Sequence, residues 1–229
     1  MIATRALVVS GGGRFGDPWH PFPATSDALA AVLRDRGCEV TVSEDADAAL
    51  AALPTETLPS LLVLNIGWYG PDSFVEPAAD GLVAALQDGL PTLLVHSTLT
   101  AFPDWPLWHD IAGGGWTHGT TYHPDYAPGV ALADADHPMS AGLGRLEILD
   151  ERYTKMWVDD PGSVFLRHEE GGQLHPLAWT RTWGASRIVA DALGHDADAY
   201  RAADRIGLLQ RELDWLAGSA DRATGSANR

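Results

Sequence analysis

Histidines and a carboxylate stand at four separate points of this sequence where they could act together in chemistry. They are His20, His96, Glu151 and His195. A histidine near its ordinary pKa of about 6.5 can move protons at neutral pH, and Glu151 could share that work. The same residue types bind divalent metals, although no H-E-x-x-H or C-x-x-C spacing supports a metal site. We expect an acid–base set formed by His96, Glu151 and His195.

Two familiar catalytic motifs are only partly matched. Ser97 follows His96 at the end of an apolar run, but the flanking residues do not form the G-x-S-x-G elbow of hydrolases. We therefore prefer His96 to Ser97 as the reacting group. The glycines at 11–13 follow the first apolar run, yet they form neither a G-x-G-x-x-G nor a Walker motif. We interpret them as a tight turn that makes room for a ligand.

Short apolar runs alternate with amphipathic helices in the first half of the chain, and this order positions those side chains. The predicted strands are 6–9, 38–42, 61–64 and 93–95. The predicted helices are one with Thr25 or Ser26 as its N-cap, then 46–53 and 75–87. Strands that are apolar throughout indicate a parallel, doubly wound α/β sheet. Because ligands bind at the carboxyl edge of such a sheet, His20, His96 and His195 should converge there.

The second half of the chain predicts further strands on the same sheet. Residues 101–128 are rich in Trp, His, Gly and Pro, which indicates an ordered excursion rather than a disordered linker. Turn signals then separate strand-like runs, which predict added hairpins: 130–132, 146–149, 164–166, 177–179 and 187–189. A last helix presents Ile206, Leu209, Leu213 and Leu216 on one face. We expect one domain over 1–217 and a flexible tail over 218–229.

The composition excludes several classes of protein. Hydrophobic residues make up 45 % of the 229 residues, as in an ordinary globular protein. The formal net charge of −16 argues against binding to nucleic acid or to a membrane surface, because polyanions would be repelled. The single cysteine, Cys38, excludes an internal disulfide. No apolar stretch reaches the roughly 20 residues that span a bilayer, and no cleavage pattern follows the start, so we expect a cytoplasmic protein.

Several short motifs occur in a characteristic order along the chain. They are Ser10-Gly-Gly with His20-Pro-Phe, Leu64-Asn65, Val95-His96, Phe102-Pro-Asp-Trp-Pro-Leu-Trp, Gly113-Gly-Gly-Trp, His137-Pro, Asp150-Glu151-Arg-Tyr153, His175-Pro-Leu-Ala-Trp179 and Leu193-Gly194-His195-Asp196. With them the chain resembles ThuA-like (trehalose-utilisation) proteins, a branch of the flavodoxin-like, class I glutamine amidotransferase-like fold. Amidotransferases of that fold carry a cysteine nucleophile where this chain has His96-Ser97. The resemblance therefore implies a retained pocket without cysteine-dependent glutamine hydrolysis, since Cys38 lies at the start of the second strand.

The resemblance implies a carbohydrate as the small-molecule partner, because ThuA-like proteins are associated with the catabolism of trehalose, other disaccharides and 3-keto-sugars. Aromatic side chains would stack on the sugar, and polar ones would bind its hydroxyl groups. The residues expected to do so are Trp68, Tyr69, Trp105, Trp179, His20, Tyr153 and Asp196.

Three functions stay open at this point, because the fold does not decide among them. The first is an enzyme that acts on a sugar, glycoside or keto-sugar. The second is a non-catalytic sugar-binding or accessory subunit, as a homo-oligomer or with an oxidoreductase partner. The third is a metal-dependent hydrolase that uses His20, His96, Glu151 and His195; the sequence itself requires no cofactor, and a divalent metal is an option.

Overall fold

The computed structural model describes residues 4–54, 59–68 and 76–218, and a nine-stranded sheet forms its centre. The strands are β1 (Arg5–Ser10), β2 (Glu39–Ser43), β3 (Leu61–Asn65), β4 (Thr92–Val95), β5 (Gly114–Gly115), β6 (Ala127–Ala133), β7 (Arg145–Asp150), β8 (Trp157–Val158), β9 (Val164–Glu170), β10 (Gln173–Trp183) and β11 (Ser186–Asp191). The α-helices are α1 (Phe22–Asp35), α2 (Ala46–Ala52), α3 (Glu76–Gln87), α4 (Pro106–Ala112) and α5 (Ala203–Leu216). Within the described ranges no helix is long and apolar enough to cross a membrane.

The sheet combines a parallel half with an antiparallel half. Its strand order is β2-β1-β3-β4-β11-β10-β9-β6-β7, and β5 pairs with β8 separately. The pairs among the first five strands are parallel, and the remaining pairs are antiparallel. Every residue of β3 and β4 is buried, as expected for strands covered on both faces. The predicted α/β architecture, with hairpin strands added to a mainly parallel sheet, is therefore confirmed.

The first helix begins earlier than predicted. Pro21 is the N-cap residue of α1, and Pro23 lies in the first turn, where a proline costs no hydrogen bond because the N–H group has no partner within the helix. Thr25 and Ser26 lie buried inside the helix, and their hydroxyl oxygens accept from Nδ2 of Asn65 at 2.8 and 2.9 Å. The prediction of an N-cap at these two residues is wrong. Their hydroxyl groups instead attach α1 to the carboxyl end of β3.

The glycine turn after β1 makes room for the protein's own side chain rather than for a ligand. A Cβ atom on Gly11 would lie 2.5 Å from the ring of Phe22. A Cβ atom on Gly67 would meet Oδ2 of Asp17 at 2.5 Å and the same ring at 2.8 Å. The two glycines thus let Phe22 and Asp17 approach the ends of β1 and β3, which corrects our interpretation of the turn.

A buried ion pair holds the last helix against the end of β11. Leu209, Leu213 and Leu216 are buried as predicted, and Ile206 is half-buried. The same helix also buries Arg205, whose guanidinium lies 2.7 Å from Oδ2 of Asp191, the last residue of β11. A buried charge is tolerated only when it is paired, so this contact determines how α5 packs beside the loop that carries His195.

Candidate functional site

Four residues from distant parts of the chain meet at the carboxyl edge of the sheet. His20 lies between β1 and α1, His96 follows β4, Glu151 follows β7 and His195 follows β11. One nitrogen or carboxylate oxygen from each of them lies within 4.8 Å of the others. The ring centroid of His20 is 5.0 Å from that of His96 and 4.8 Å from that of His195. The structure thus brings together all four of these predicted residues, which we call the His–Glu cluster.

His96 stands on a strained turn directly after β4. Its φ of +46° lies in the left-handed region, which residues other than glycine rarely adopt, and it starts the short 3-10 helix His96–Thr100. Such strain costs of order 1–3 kcal/mol and persists where surrounding structure holds it, commonly at functional sites. The ring is 1 % exposed, and its Nδ1–H donates to the carbonyl oxygen of Ala192 at 2.7 Å. Nε2, which lies 3.9 Å from Oε2 of Glu151, is therefore the acceptor nitrogen of this ring.

The charge state of His96 follows from its surroundings. Burial, together with the neighbouring imidazoles of His20 and His195, holds the pKa of His96 well below its usual value. The hydroxyl group of Tyr153 donates to Nε2 of His96 at 3.0 Å. Burial raises the pKa of Tyr153 well above its usual value, so this hydroxyl group keeps its proton. The pair consists of a neutral imidazole and a neutral phenol at pH 7.

His20 is oriented by a carboxylate behind it. Its Nδ1 lies 2.7 Å from Oδ2 of Asp17, whose Oδ1 also accepts from the backbone N–H groups of Trp19 and His20. Burial opposes ionisation of Asp17, but the hydrogen bond and charge of His20 outweigh it and lower the pKa of Asp17. With Nδ1 occupied, Nε2 of His20 is the free nitrogen. It is buried and has no hydrogen-bond partner among the described residues.

Glu151 supplies the negative charge of the His–Glu cluster. Its Oε2 lies 3.1 Å from Nδ1 of His195 and 3.9 Å from Nε2 of His96, and its Oε1 lies 3.5 Å from Nδ1 of His123. Burial opposes ionisation of Glu151, yet His195 and His123 outweigh it and lower its pKa. Burial also opposes the charge of His195, but Glu151 outweighs it and raises the pKa of His195. Nδ1 of His195 is buried, and the Glu151 carboxylate at 3.1 Å is its charged neighbour.

Asp150 connects the two loops that carry Glu151 and His195. Its carboxylate accepts from the backbone N–H groups of Glu151 at 3.0 Å, Gly194 at 2.7 Å and His195 at 3.1 Å. Burial raises the pKa of Asp150 to about 7, although these backbone bonds oppose the shift. Asp150 therefore positions two members of the His–Glu cluster through their backbone.

The other predicted site residues are placed differently. Trp68 packs against Phe15 and Phe102, at centroid distances of 5.9 and 6.0 Å, and Trp105 stacks on Trp108 at 6.3 Å. Trp68 and Trp105 line a cavity of about 270 Å³ together, so stacking on a sugar stays a prediction for them.

Two of the predicted residues have structural roles instead, and one is not described. Trp179 is 1 % exposed and its Nε1–H donates to the carbonyl oxygen of Ala112, so the prediction that it stacks on a sugar is wrong. Asp196 caps the 3-10 helix Ala197–Arg201 by accepting from the N–H of Asp198 at 3.0 Å. Tyr69 lies outside the described residues.

Three aromatic residues beside the His–Glu cluster were missed in the sequence. The ring of Trp116 meets that of Tyr153 edge-on at 4.9 Å, and the ring of Tyr126 lies 5.3 Å from that of His195. His123, described above, contacts Glu151. All three belong to the aromatic segment 101–128, whose composition indicated an ordered excursion. Its composition could not indicate which of its side chains face the site.

Cys38 and Ser97 do not stand where a nucleophile would be needed. Cys38 immediately precedes β2, at the opposite end of the strand from the carboxyl edge, and burial raises the pKa of its thiol. Ser97 is buried and its hydroxyl donates to the carbonyl oxygen of Ile66 at 3.0 Å. The strained turn after β4 presents the imidazole of His96 in place of a thiol.

Comparison with known proteins places this architecture in a family. A family model described as trehalose utilisation (ThuA) matches residues 5–216, whereas no curated protein sequence matches significantly. Among solved structures, a ThuA-like protein from Parabacteroides merdae has a TM-score of 0.75 at 20 % identity, over 94 % of this chain and 90 % of that one. A ThuA-like protein from Bacteroides uniformis has a TM-score of 0.69 at 12 % identity, over 94 % and 93 %.

A more distant structure identifies the wider fold. A glutamine amidotransferase from Thermotoga maritima has a TM-score of 0.51 at 11 % identity, over 95 % of this chain and 99 % of that one. At such identities the structural likenesses show the fold alone. The family model, in contrast, covers nearly the whole chain and supports a carbohydrate-related role. On this basis the chain belongs to the ThuA (trehalose utilisation) family.

Proposed function

We propose that this protein is a metal-dependent enzyme that acts on a carbohydrate, with a divalent cation held by the His–Glu cluster. The observation that carries the proposal is the convergence of four donor groups within 4.8 Å, from four separate loops. One of the imidazole nitrogens there, Nε2 of His20, is buried without a hydrogen-bond partner in the described structure. A buried polar atom without a partner costs free energy, and a bound cation would remove that cost.

The hydrogen-bond acceptors on the far side of His20 and His96 also suit a cation. Metal-binding histidines usually donate their second ring N–H to a carboxylate or a backbone carbonyl. His20 donates to Asp17 in this way, and His96 donates to the carbonyl oxygen of Ala192. The lowered pKa of His96 keeps its imidazole neutral, which is the form that binds metals.

The donor set indicates which cations fit. Three imidazole nitrogens and one carboxylate oxygen suit zinc, iron, cobalt, nickel or manganese better than calcium or magnesium, which prefer all-oxygen sites. Donor atoms about 2.1 Å from a zinc ion lie roughly 3.4 Å apart in a tetrahedron. The four groups, whose donor atoms lie within 4.8 Å of one another, would have to approach by up to about 1.4 Å to reach that spacing. A cation there would act as a Lewis acid on a sugar oxygen.

Elemental analysis with variants tests this proposal directly. The purified protein should contain close to one equivalent of a transition metal, which a chelator removes and titration with zinc, manganese, iron or cobalt restores. His96→Ala and His195→Ala should each deplete the metal, while His118→Ala, whose exposed ring lies outside the cluster, should retain it. A folded wild-type protein that binds none of these ions would contradict the proposal.

A metal-free acid–base enzyme is the second candidate, and one observation favours it. Glu151 and His195 form a close pair whose pKa values move in opposite directions, as in an ion pair of a carboxylate with an imidazolium. Such a pair can move a proton to or from a sugar hydroxyl group. In that case the activity would survive exhaustive chelation, and His195→Ala would abolish it without any change in metal content.

A further inference from the structure

A cavity of about 270 Å³ lies between helix α3 and the residues that precede α4, and no member of the His–Glu cluster lines it. Apart from an alanine and a proline, its lining consists of three aromatic rings and three carboxylates: Trp68, Phe102, Trp105, Glu76, Asp80 and Asp104. Several of them belong to the motif Phe102-Pro-Asp-Trp-Pro-Leu-Trp, of which the proposed metal centre makes no use.

The three rings line the cavity with buried Phe102 in the middle. Its ring centroid lies 6.0 Å from that of Trp68, with 50° between the planes, and 5.8 Å from that of Trp105, with 89° between the planes. The φ of Phe102 is +54°, in the left-handed region that residues other than glycine rarely adopt, so its surroundings hold this ring in place. Both indoles are half-buried and thus keep surface that a ligand can contact.

The protein does not neutralise the carboxylates at this cavity. Glu76 and Asp80 lie one turn apart on α3, where like charges share a face and destabilise a helix. Both are exposed, as is Asp104, and in the described part of the chain none of the three forms an ion pair. The guanidinium of Arg14 lies 6.0 Å from the ring centroid of Trp68, but it pairs with Asp47 and does not line the cavity. The lining is therefore negatively charged.

These carboxylates do not form a metal site. Within the described ranges, the His–Glu cluster is the only group in which three or more His, Cys, Asp or Glu donor atoms lie close enough to share an ion. The carboxylates at the cavity would therefore attract a ligand by their charge and not by joint coordination of one ion. A phosphate or carboxylate ligand would be repelled by them and by the net charge of −16 on the chain.

Aromatic faces combined with negative charge favour an organic cation. A cation above a Trp or Phe ring is attracted by the ring quadrupole, and aromatic cages recognise quaternary ammonium groups in this way. A primary ammonium group has three N–H donors and is strongly hydrated, whereas a fully methylated nitrogen needs no hydrogen-bond acceptor. The cavity is smaller than the roughly 300–1,000 Å³ that encloses a drug-sized ligand, so it suits a small head group.

We propose that this cavity binds the head group of a quaternary ammonium compound that carries no anionic group beside its charged nitrogen. The methyl groups contact the rings of Trp68, Phe102 and Trp105, and the three carboxylates supply the opposite charge. This site is separate from the proposed metal centre. Sugar stacking on Trp68 and Trp105, which the family resemblance implies, is the alternative that the experiment must distinguish.

Calorimetric titration of the purified protein with choline tests the inference. The comparison probes are the uncharged isostere of choline, in which a carbon atom replaces the nitrogen, glycine betaine, which adds a carboxylate to the same head group, and the sugars glucose and trehalose. Choline should bind about tenfold or more tightly than each of them, because only choline combines the methyl groups with an uncompensated positive charge.

Two sets of variants locate the binding site. Trp105→Ala should weaken choline binding about tenfold or more, and Trp105→Phe, which keeps an aromatic face, should recover part of the affinity. Trp215→Ala, at a half-buried indole that lines a different cavity, is the control. Asp80→Asn should weaken binding about twofold to fivefold, the usual effect of an exposed charge, while Asp27→Asn at an exposed position of α1 should not. If Trp105→Ala fails to fold, Asp80→Asn decides.

Selective choline binding that falls in Trp105→Ala and Asp80→Asn would support the inference. Equal binding of choline and its uncharged isostere, tighter binding of a sugar, unchanged affinity in folded variants, or no choline binding at all would overturn it. His96→Ala separates this inference from the proposed function, since it should lose the metal and keep choline binding. A protein that binds choline without holding metal would contradict the proposed function alone.

Discussion

The hydroxyl group of Tyr153 donates a 3.0 Å hydrogen bond to Nε2 of His96, and that nitrogen has only one lone pair. Because Nδ1 of His96 is committed to the carbonyl oxygen of Ala192, a cation could bind this ring only through Nε2. Metal binding and the Tyr153 hydrogen bond therefore exclude each other. If the cluster held a cation, His96 would supply Nε2 as the ligand atom and the hydroxyl group of Tyr153 would have to give up this hydrogen bond.

This competition predicts that Tyr153→Phe binds metal more tightly than the wild type. The variant no longer has to break a hydrogen bond, typically worth about 0.5–1.5 kcal/mol, so its affinity should rise roughly twofold to tenfold. Competition with a chromogenic chelator would measure the change, and Tyr122→Phe, an exposed tyrosine, is the matched control. Turnover should fall in the same variant. Weaker metal binding by a well-folded Tyr153→Phe protein would show that the Tyr153 hydrogen bond and the metal do not compete for Nε2 of His96.

Asp17 should matter for metal affinity although it is not a ligand. Its carboxylate accepts from Nδ1 of His20 and orients the ring. We expect Asp17→Asn to weaken metal binding about tenfold to a hundredfold, the usual effect of losing a carboxylate behind a histidine ligand. The exposed Asp27→Asn provides the control for charge alone, and equal affinities in the two variants would argue against a metal at His20.

The buried pair of Arg205 and Asp191 should be required for stability. Arg205→Leu would leave the buried carboxyl groups of Asp191 and Glu212 without their shared guanidinium, at a cost of about 3–5 kcal/mol in the free energy of unfolding. Arg201→Leu removes an exposed arginine that pairs with Asp198, and it should change this energy by no more than about 0.5 kcal/mol. Urea denaturation measures both, and similar values for the two variants would contradict the expectation.

The lowered pKa of His168 predicts that the stability of the fold decreases at acidic pH. Burial, only partly offset by the carbonyl oxygen of Tyr153, lowers the pKa of His168 to about 4. Between this value and the ordinary pKa of about 6.5 the unfolded chain binds more protons than the folded one, so stability falls as the pH falls through this window. From pH 7 to pH 4.5 the loss from this group should be about 2 kcal/mol.

His168→Gln isolates that contribution, because glutamine does not titrate. Denaturation of the variant at pH 7 and pH 4.5 should show a smaller loss of stability than in the wild type, by about the same 2 kcal/mol. His118→Gln, at an exposed position, should keep the wild-type loss. An unchanged pH dependence in His168→Gln would mean that other groups cause the acid sensitivity.

The sequence alone determined the first four strands and the edge of the sheet at which the candidate site lies. The predicted strands 6–9, 38–42, 61–64 and 93–95 match β1 to β4 to within one residue at each end. β3 and β4 are recognisable because buried parallel strands are apolar along their whole length, and β1 is apolar over 6–9. β2 is the half-exposed edge strand and alternates apolar with polar residues. A parallel sheet also places the residues after its strands at one edge, which brings His20, His96 and His195 together. Glu151 could be assigned to the site only through the family resemblance.

Tertiary structure decided which side chains face the site and which are buried. Trp116 follows a run of glycines, and Trp179 ends a predicted strand. Trp179 packs in the core, whereas Trp116 is half-buried and contacts Tyr153 beside the His–Glu cluster. Local sequence does not encode that choice, because it depends on partners distant in the chain. Likewise Arg205 lies one turn before Leu209 on the buried side of α5, and its charge is buried there beside Asp191 at the end of β11, which neutralises it. Burial of a charge is set by its partner in space, and only the folded chain supplies that partner.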